Sequence, residues 1–221
     1  ISDGGLIINQ VDNANVLDLN LVGVGGDFSN ANTNLFIDFA GPSLSSANLT
    51  NKDSSFIALQ NSGGALRGLN IAGSGTLGIM NMLPSSITDI SGANSLINLN
   101  LTLGTGGANV NLGAGTHHLT IINGTNTIST KSGRDTVTIA NGNNTVDTGL
   151  GDDAISILGG INTLNASDGN DNITLSEGTN VLFSGAGRDV ITALGGVHDI
   201  NSGPDDDIIN ISASRALNTI E

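Results

Sequence analysis

The stretch Gly149-Leu150-Gly151-Asp152-Asp153-Ala154-Ile155-Ser156-Ile157 decides how this chain is read. Two glycines flank one residue, an aspartate follows two positions later, and aliphatic residues then fall two apart. Glycine supplies turn conformations with positive φ, and a spacing of two is the period of a strand. Counting outward, glycine stands at 106, 115, 124, 133, 142, 151, 160, 169, 178, 187 and 196, eleven in strict steps of nine, and the next step is Asp205. Four residues after each of these positions comes an aliphatic residue, from Val110 to Ile209, without exception. A fixed short period of this kind marks a stacked structural repeat.

The residue two after each step carries a second pattern. From 126 onward it reads Asn126, Asp135, Asn144, Asp153, Asn162, Asp171, Asn180, Asp189, His198 and Asp207. The true period is therefore 18, built of two unlike nonads. A coil of that length with two short strands and two tight turns has the geometry of a parallel β-roll. Aspartate nonads place a second inward residue at Ile139, Ile157, Leu175, Ala193 and Ile211. Asparagine nonads place Thr130, Thr148, Ala166, Ser184 and Ser202 there, which marks a narrower side or a chain already turning. Thr138, Ser156, Thr174, Thr192 and Asn210 point outward as a hydroxyl-rich ladder.

The segments 148–155, 166–173 and 184–191 resemble the RTX (repeat-in-toxin) nonapeptide, G-G-x-G-x-D-x-U-x, a calcium-binding repeat. The resemblance spans roughly residues 104–211 and departs from the family in one respect: only alternate nonads carry aspartate, so a second row of calcium sites is not expected. It implies Ca2+ held between neighbouring loops of one edge, each ion shared by two aspartates with turn carbonyls completing the shell. Calcium takes six to eight hard oxygens, more than one aspartate supplies. The expected ligands are Asp135, Asp153, Asp171, Asp189 and Asp207, in the loops 130–135, 148–153, 166–171, 184–189 and 202–207. Five loops leave four gaps, hence about four ions in a row. Stacked coils bring successive aspartates about 4.8 Å apart. Without metal their charges repel, so metal binding is expected to be coupled to folding. Asp152, Asp168, Asp205 and Asp206 add to the negative potential of the same edge. The Asn row is expected to be a hydrogen-bonded amide ladder, with His198 as its turn substitute. His117 and His118 are adjacent and point to opposite faces of a strand, so no zinc site is expected.

Residues 1–103 lack the nine-residue step. They still alternate apolar and polar residues over 16–22, 35–39, 55–59, 66–71 and 96–103, and each of these segments reads as a half-buried strand. Gly23–Gly26 and Gly73–Gly75 read as turns, and 78–83 as a short turn of helix at most. The fold class expected is all-β. An irregular parallel β-helix over 1–103 leads into an 18-residue-coil roll over 104–211, with 212–221 as an exit segment that continues past this sequence. A separate β-sandwich for 1–100 is the alternative. Ile1 is not an initiator methionine, so a fragment or a processed chain is expected.

Composition narrows function. The 221 residues include 32 Gly and 30 Asn, no Cys, Trp or Tyr, and a formal net charge of -14. Six cationic side chains give no footprint for nucleic acid, and no apolar run is long enough to insert into a membrane. The absence of cysteine excludes disulfides and thiolate chemistry. Neither a G-x-S-x-G elbow nor an H-E-x-x-H pair is present. The composition resembles that of bacterial surface-layer proteins exported by type I secretion. A non-enzymatic, secreted, cell-surface protein is therefore expected, one that self-associates into a calcium-dependent lattice and meets cell-surface polysaccharide. An RTX adhesin segment, or the calcium-folded secretion module of an exported toxin, protease or lipase, is the alternative. Ice binding through the hydroxyl ladder is a third and weaker reading.

Overall fold

The computed structural model of the chain describes residues 5–8, 15–21, 35–212 and 217–220. The turn expected at Gly23–Gly26 and part of the exit segment lie outside the described residues. In chain order the strands are β1 (Gly5–Ile8), β2 (Val16–Leu21), β3 (Leu35–Phe39), β4 (Ser46–Asn51), β5 (Ser55–Gln60), β6 (Gly68–Met82), β7 (Asp89–Ser91), β8 (Leu96–Leu103), β9 (Asn109–Asn111), β10 (His118–Ile121) and β11 (Thr125–Ser129). They continue with β12 (Thr136–Ile139), β13 (Asn143–Asp147), β14 (Ala154–Ile157), β15 (Ile161–Asn165), β16 (Asn172–Leu175), β17 (Thr179–Phe183), β18 (Val190–Ala193), β19 (Val197–Asn201), β20 (Ile208–Ile211) and β21 (Leu217–Ile220).

Among the described residues every pairing is parallel, and strands alternate between two sheets. One sheet runs β8, β10, β12, β14, β16, β18, β20. The other runs β9, β11, β13, β15, β17, β19, β21. The chain is a parallel β-solenoid, and the same two sheets carry back through β4 and β5, so the upstream strands do not form a sandwich.

The step between stacked residues contracts along the chain. Val16 pairs with Ser46, a step of 30 residues. Ser46 pairs with Gly68 and Ser55 with Leu77, steps of 22. Asp89 pairs with Asn109, a step of 20. Asn100 pairs with His118, and from there the step is 18 as far as Val190 and Ile208. The upstream coils thus have a register of their own. It is readable in Ile57, Ile79 and Leu101, buried aliphatics spaced by 22.

No helical turn forms at 78–83. That segment belongs to β6, which leaves one sheet at Gly73, passes the corner at Gly75, joins the other sheet and carries an irregularity between Gly78 and Met82. Gly73 and Gly75 adopt φ of 116° and 83°, and their backbones meet those of Asn51 and Asp53 too closely to admit a Cβ. The corner is made without breaking the strand.

Between the sheets lies a single aliphatic layer. In one roll coil Ile155, Ile157, Leu164 and Ala166 are fully buried, while Thr163 and Ala154 face water. A coil with so thin a core is stable only against its neighbours. Thr130, Thr148 and Ser184 also point inward, and their hydroxyls donate to the carbonyls of Thr148, Ala166 and Ser202 on the next coil. The Asn edge is the expected ladder. Asn126, Asn144 and Asn162 each donate from Nδ2 to the Oδ1 of the following asparagine at 2.7 Å, and each also donates to a carbonyl of its own turn. Buried amides satisfied in this way cost little, whereas unpaired ones would cost about 1–3 kcal/mol each. His198 closes the ladder against Asn180 at 3.1 Å.

Candidate metal centre

The opposite edge carries the aspartate loops. Their second residue is left-handed whatever its identity: φ is 70° at Lys131, 81° at Gly149, 71° at Ser167, 101° at Gly185 and 79° at Gly203. The fourth position is stricter. A Cβ on Gly151 would lie 1.8 Å from the carbonyl oxygen of Gly133, and one on Gly133 the same distance from that of Gly115. In the coils of Gly133, Gly151, Gly169 and Gly187 backbone packs on backbone there, and glycine leaves the space. Asp205 takes that position in the last loop with φ of 90°, and its Oδ2 accepts the Gly187 amide at 3.1 Å.

Each loop turns its aspartate inward. Asp135, Asp153, Asp171 and Asp189 are buried, and Asp207 is half-buried. One oxygen of each is used by the stack. The amides of His117, Asp135, Asp153, Asp171 and Asp189 donate to Oδ1 of Asp135, Asp153, Asp171, Asp189 and Asp207 in turn, at 2.7–2.9 Å. The other oxygen is not used. Oδ2 of Asp135, Asp153, Asp171 and Asp189 is buried without a hydrogen-bond partner, and the Thr130 and Thr148 hydroxyls beside Asp135 and Asp153 donate instead to carbonyls of the next coil.

A buried carboxylate oxygen with no partner is expensive. Burial pushes Asp153 up to about 6 and Asp171 up to about 7, and raises Asp135 as well. Repulsion from neighbouring carboxylates adds less than burial at Asp153 and Asp171. Desolvation, more than the stacked like charges, therefore makes the column unstable as an anion. Holding Asp171 ionised at neutral pH costs on the order of 4 kcal/mol. A cation beside the column removes that cost.

A row of buried carboxylate oxygens, one per coil, suits a hard cation. Among the described residues no three acidic or imidazole side chains converge. With one inward aspartate per coil, the remaining ligands of any ion would be main-chain oxygens of the loops or water. The outer acids stand apart from this column. Asp152 is exposed, and hydrogen bonds from the Asn170 amide and side chain hold its carboxyl below the usual range. Asp168, Asp205 and Asp206 are exposed too.

Residues 122–155, 158–191 and 175–209 match the family model of the RTX calcium-binding nonapeptide repeat, four copies. Residues 122–209 form an RTX β-roll. The repeats of this family bind calcium, so the RTX roll is a calcium-binding module. No curated protein and no solved structure gives a match to the chain.

One member of the RTX column escapes the nonapeptide pattern. His117 is fully buried in the position of an aspartate, two residues after Gly115, where the nine-residue count already points. Burial lowers its pKa, and the nearby Asp135 charge offsets this in part. His118 is exposed on the opposite face, so the two imidazoles are not brought together.

Proposed function

We propose that Asp135, Asp153, Asp171, Asp189 and Asp207 hold a single row of calcium ions, and that the chain is a non-enzymatic structural part of an exported protein. In this reading calcium orders the roll outside the cell, and the ordered chain self-associates through its flat sheet faces into a surface layer on a bacterium. Cell-surface polysaccharide is the second partner of the same reading. The observation that carries the calcium assignment is the set of four buried Oδ2 atoms without a partner, aligned on one edge. Calcium would supply there the positive charge that lets four desolvated carboxylates stay ionised.

The surface supports a structural role. The depression lined by Ile79, Met80, Asn100, Thr102, His118 and Thr120 contains one imidazole and no carboxylate. It lacks the acid–base pairing that hydrolysis requires. Electron microscopy of the purified chain with and without calcium tests the assembly. Ordered two-dimensional sheets in calcium support the surface-layer reading. Persistent monomers in both conditions would sink it and favour an adhesin segment or a secretion module.

A further inference from the structure

The edge that carries the aspartate loops does not begin with them. The loop position of Gly149 continues back through Lys131, Gly113, Ser95 and Gly73 to Asn51. The position of Asp135 continues back through His117, Leu99 and Leu77 to Ser55. Four upstream coils therefore turn the same corner without an aspartate in the column.

Two side chains on this upstream edge do what a cation would do. Asn51 is fully buried at a position where the roll places glycine at 149, 185 and 203. Its Nδ2 donates to the carbonyl of Asp53 in its own loop and approaches those of Ser74 and Thr76 in the next coil at 3.3 and 3.2 Å. The electropositive end of the amide thus sits between neighbouring loops, among turn oxygens from both. Its Oδ1 is buried without a partner, so the three carbonyls set the orientation; the reversed amide would press oxygen against oxygen. His117 does the same in the aspartate column itself. Its Nδ1 accepts the Leu99 amide at 3.3 Å, as each aspartate Oδ1 accepts its predecessor's, while Nε2 faces the Gly113 carbonyl at 3.2 Å and donates to it. One uncharged ring satisfies both the stacked amide and a turn oxygen.

We infer that the calcium edge continues upstream as a metal-independent edge, in which side-chain N–H groups of Asn51 and His117 take the place of cations. Residues 46–121 then stay folded without calcium and present a completed rung, β10, on which the roll is built. The His117 amide already donates to Asp135 Oδ1, so the first aspartate coil docks on a partner that needs no ion. This inference rests on the calcium reading of the aspartate column.

Hydrogen exchange of the full chain, followed by mass spectrometry in chelator and in calcium, tests it. The amides of β4, β5, β6 and β8 are expected to stay protected in both conditions, while those of β12 to β20 lose protection in chelator and regain it with calcium. Loss of protection in the upstream strands together with the roll would overturn the inference and leave the calcium reading standing. Indifference of the roll strands to calcium would remove the calcium reading, and the inference with it. Two variants extend the test. His117→Asp is expected to raise the bound calcium by one ion per chain in equilibrium dialysis, and an unchanged count in the folded variant would count against the role of His117. Asn51→Asp is expected to make protection of β4 and β6 depend on calcium, and equal protection with and without calcium would count against the role of Asn51. Should either variant fail to fold, exchange in the unaltered chain still decides.

Discussion

The upstream coils turn the calcium edge with Asn51, Gly73 and Ser95 in one column, three residue types at steps of 22. The roll turns it with Lys131, Gly149, Ser167, Gly185 and Gly203 at a constant step of 18. The upstream coils bury Phe39 beside aliphatics such as Leu49, Leu59 and Leu69, which are of the same size as Leu164, Leu175 and Leu182 of the roll. Their length drifts from 30 to 20 residues without loss of pairing. Aliphatic packing is non-directional and tolerates such drift. The roll has no such freedom. Asp135, Asp153, Asp171 and Asp189 each have to meet the amide of the coil before at 2.7–2.8 Å and leave the same oxygen free. A column that repeats one amide-to-carboxylate contact at every coil fixes coil length, and a column built on apolar contact does not.

The strongest way to break this comparison is to remove calcium. Chelation is expected to abolish the strand signal of the roll in circular dichroism while the upstream part of the signal persists; an unchanged spectrum and melting temperature would refute the ion column. The next largest effect is that of pH on metal-stripped protein. In the folded roll Asp153 and Asp171 titrate near 6 and 7, above the ordinary 3.8, so the folded state binds protons that the unfolded chain releases. Their protonation contributes stability that is full below about 3.8 and is lost as the pH rises through 6 and 7. These two aspartates should therefore make the metal-stripped roll more stable at pH 5 than at pH 8 by on the order of 3–4 kcal/mol, and the lowered pKa of buried His117 opposes part of this at pH 5. The strand signal of the roll in chelated protein at the two pH values checks this: it should return in part at pH 5, and a signal that grows with pH would contradict it.

Asp171→Asn sharpens the contrast by changing sign with conditions. In metal-stripped protein at pH 8 it should stabilise the roll by about 2–3 kcal/mol, because a neutral amide is cheaper to bury than a carboxylate. In calcium it should destabilise the roll and raise the midpoint of the calcium titration, since two adjoining gaps lose a ligand. The same sign in both conditions would show that the column is not an ion site. Asn162→Ala is the mildest. It strips an acceptor from Asn144 and a donor from Asn180, and should cost about 1–3 kcal/mol. The number of bound ions should stay the same; a lower count would give the Asn edge a role in metal binding.

The roll was legible in the sequence because its constraints are local. Gly133 and Gly151 are required by a backbone contact that admits no side chain, and Asp153 follows at a fixed offset. The upstream register was less legible because unlike residues make its turns: nothing in Asn51-Lys52-Asp53 resembles Gly73-Ser74-Gly75, although the two stack. β6 was misread for the same reason, since Gly73-Ser74-Gly75 looks like the end of a strand and is a corner within one. The aspartate spacing showed that charges would stack. It did not show that Oδ1 would be consumed by an amide and Oδ2 sealed from water, which is a property of the packed column.

The bonds of that column all point one way. Each carboxylate completes the coil that precedes it, and the Asn ladder donates in the same sense. A stack of n such coils has n − 1 junctions and one unfinished tip, and the tip costs the same however long the stack becomes. Growth from the upstream end thus behaves like a one-dimensional crystal. The first junction carries the boundary penalty, and later coils add at constant gain. Swapping His117 for a residue that cannot receive the Leu99 amide would add a second boundary inside the array and divide one cooperative unit into two.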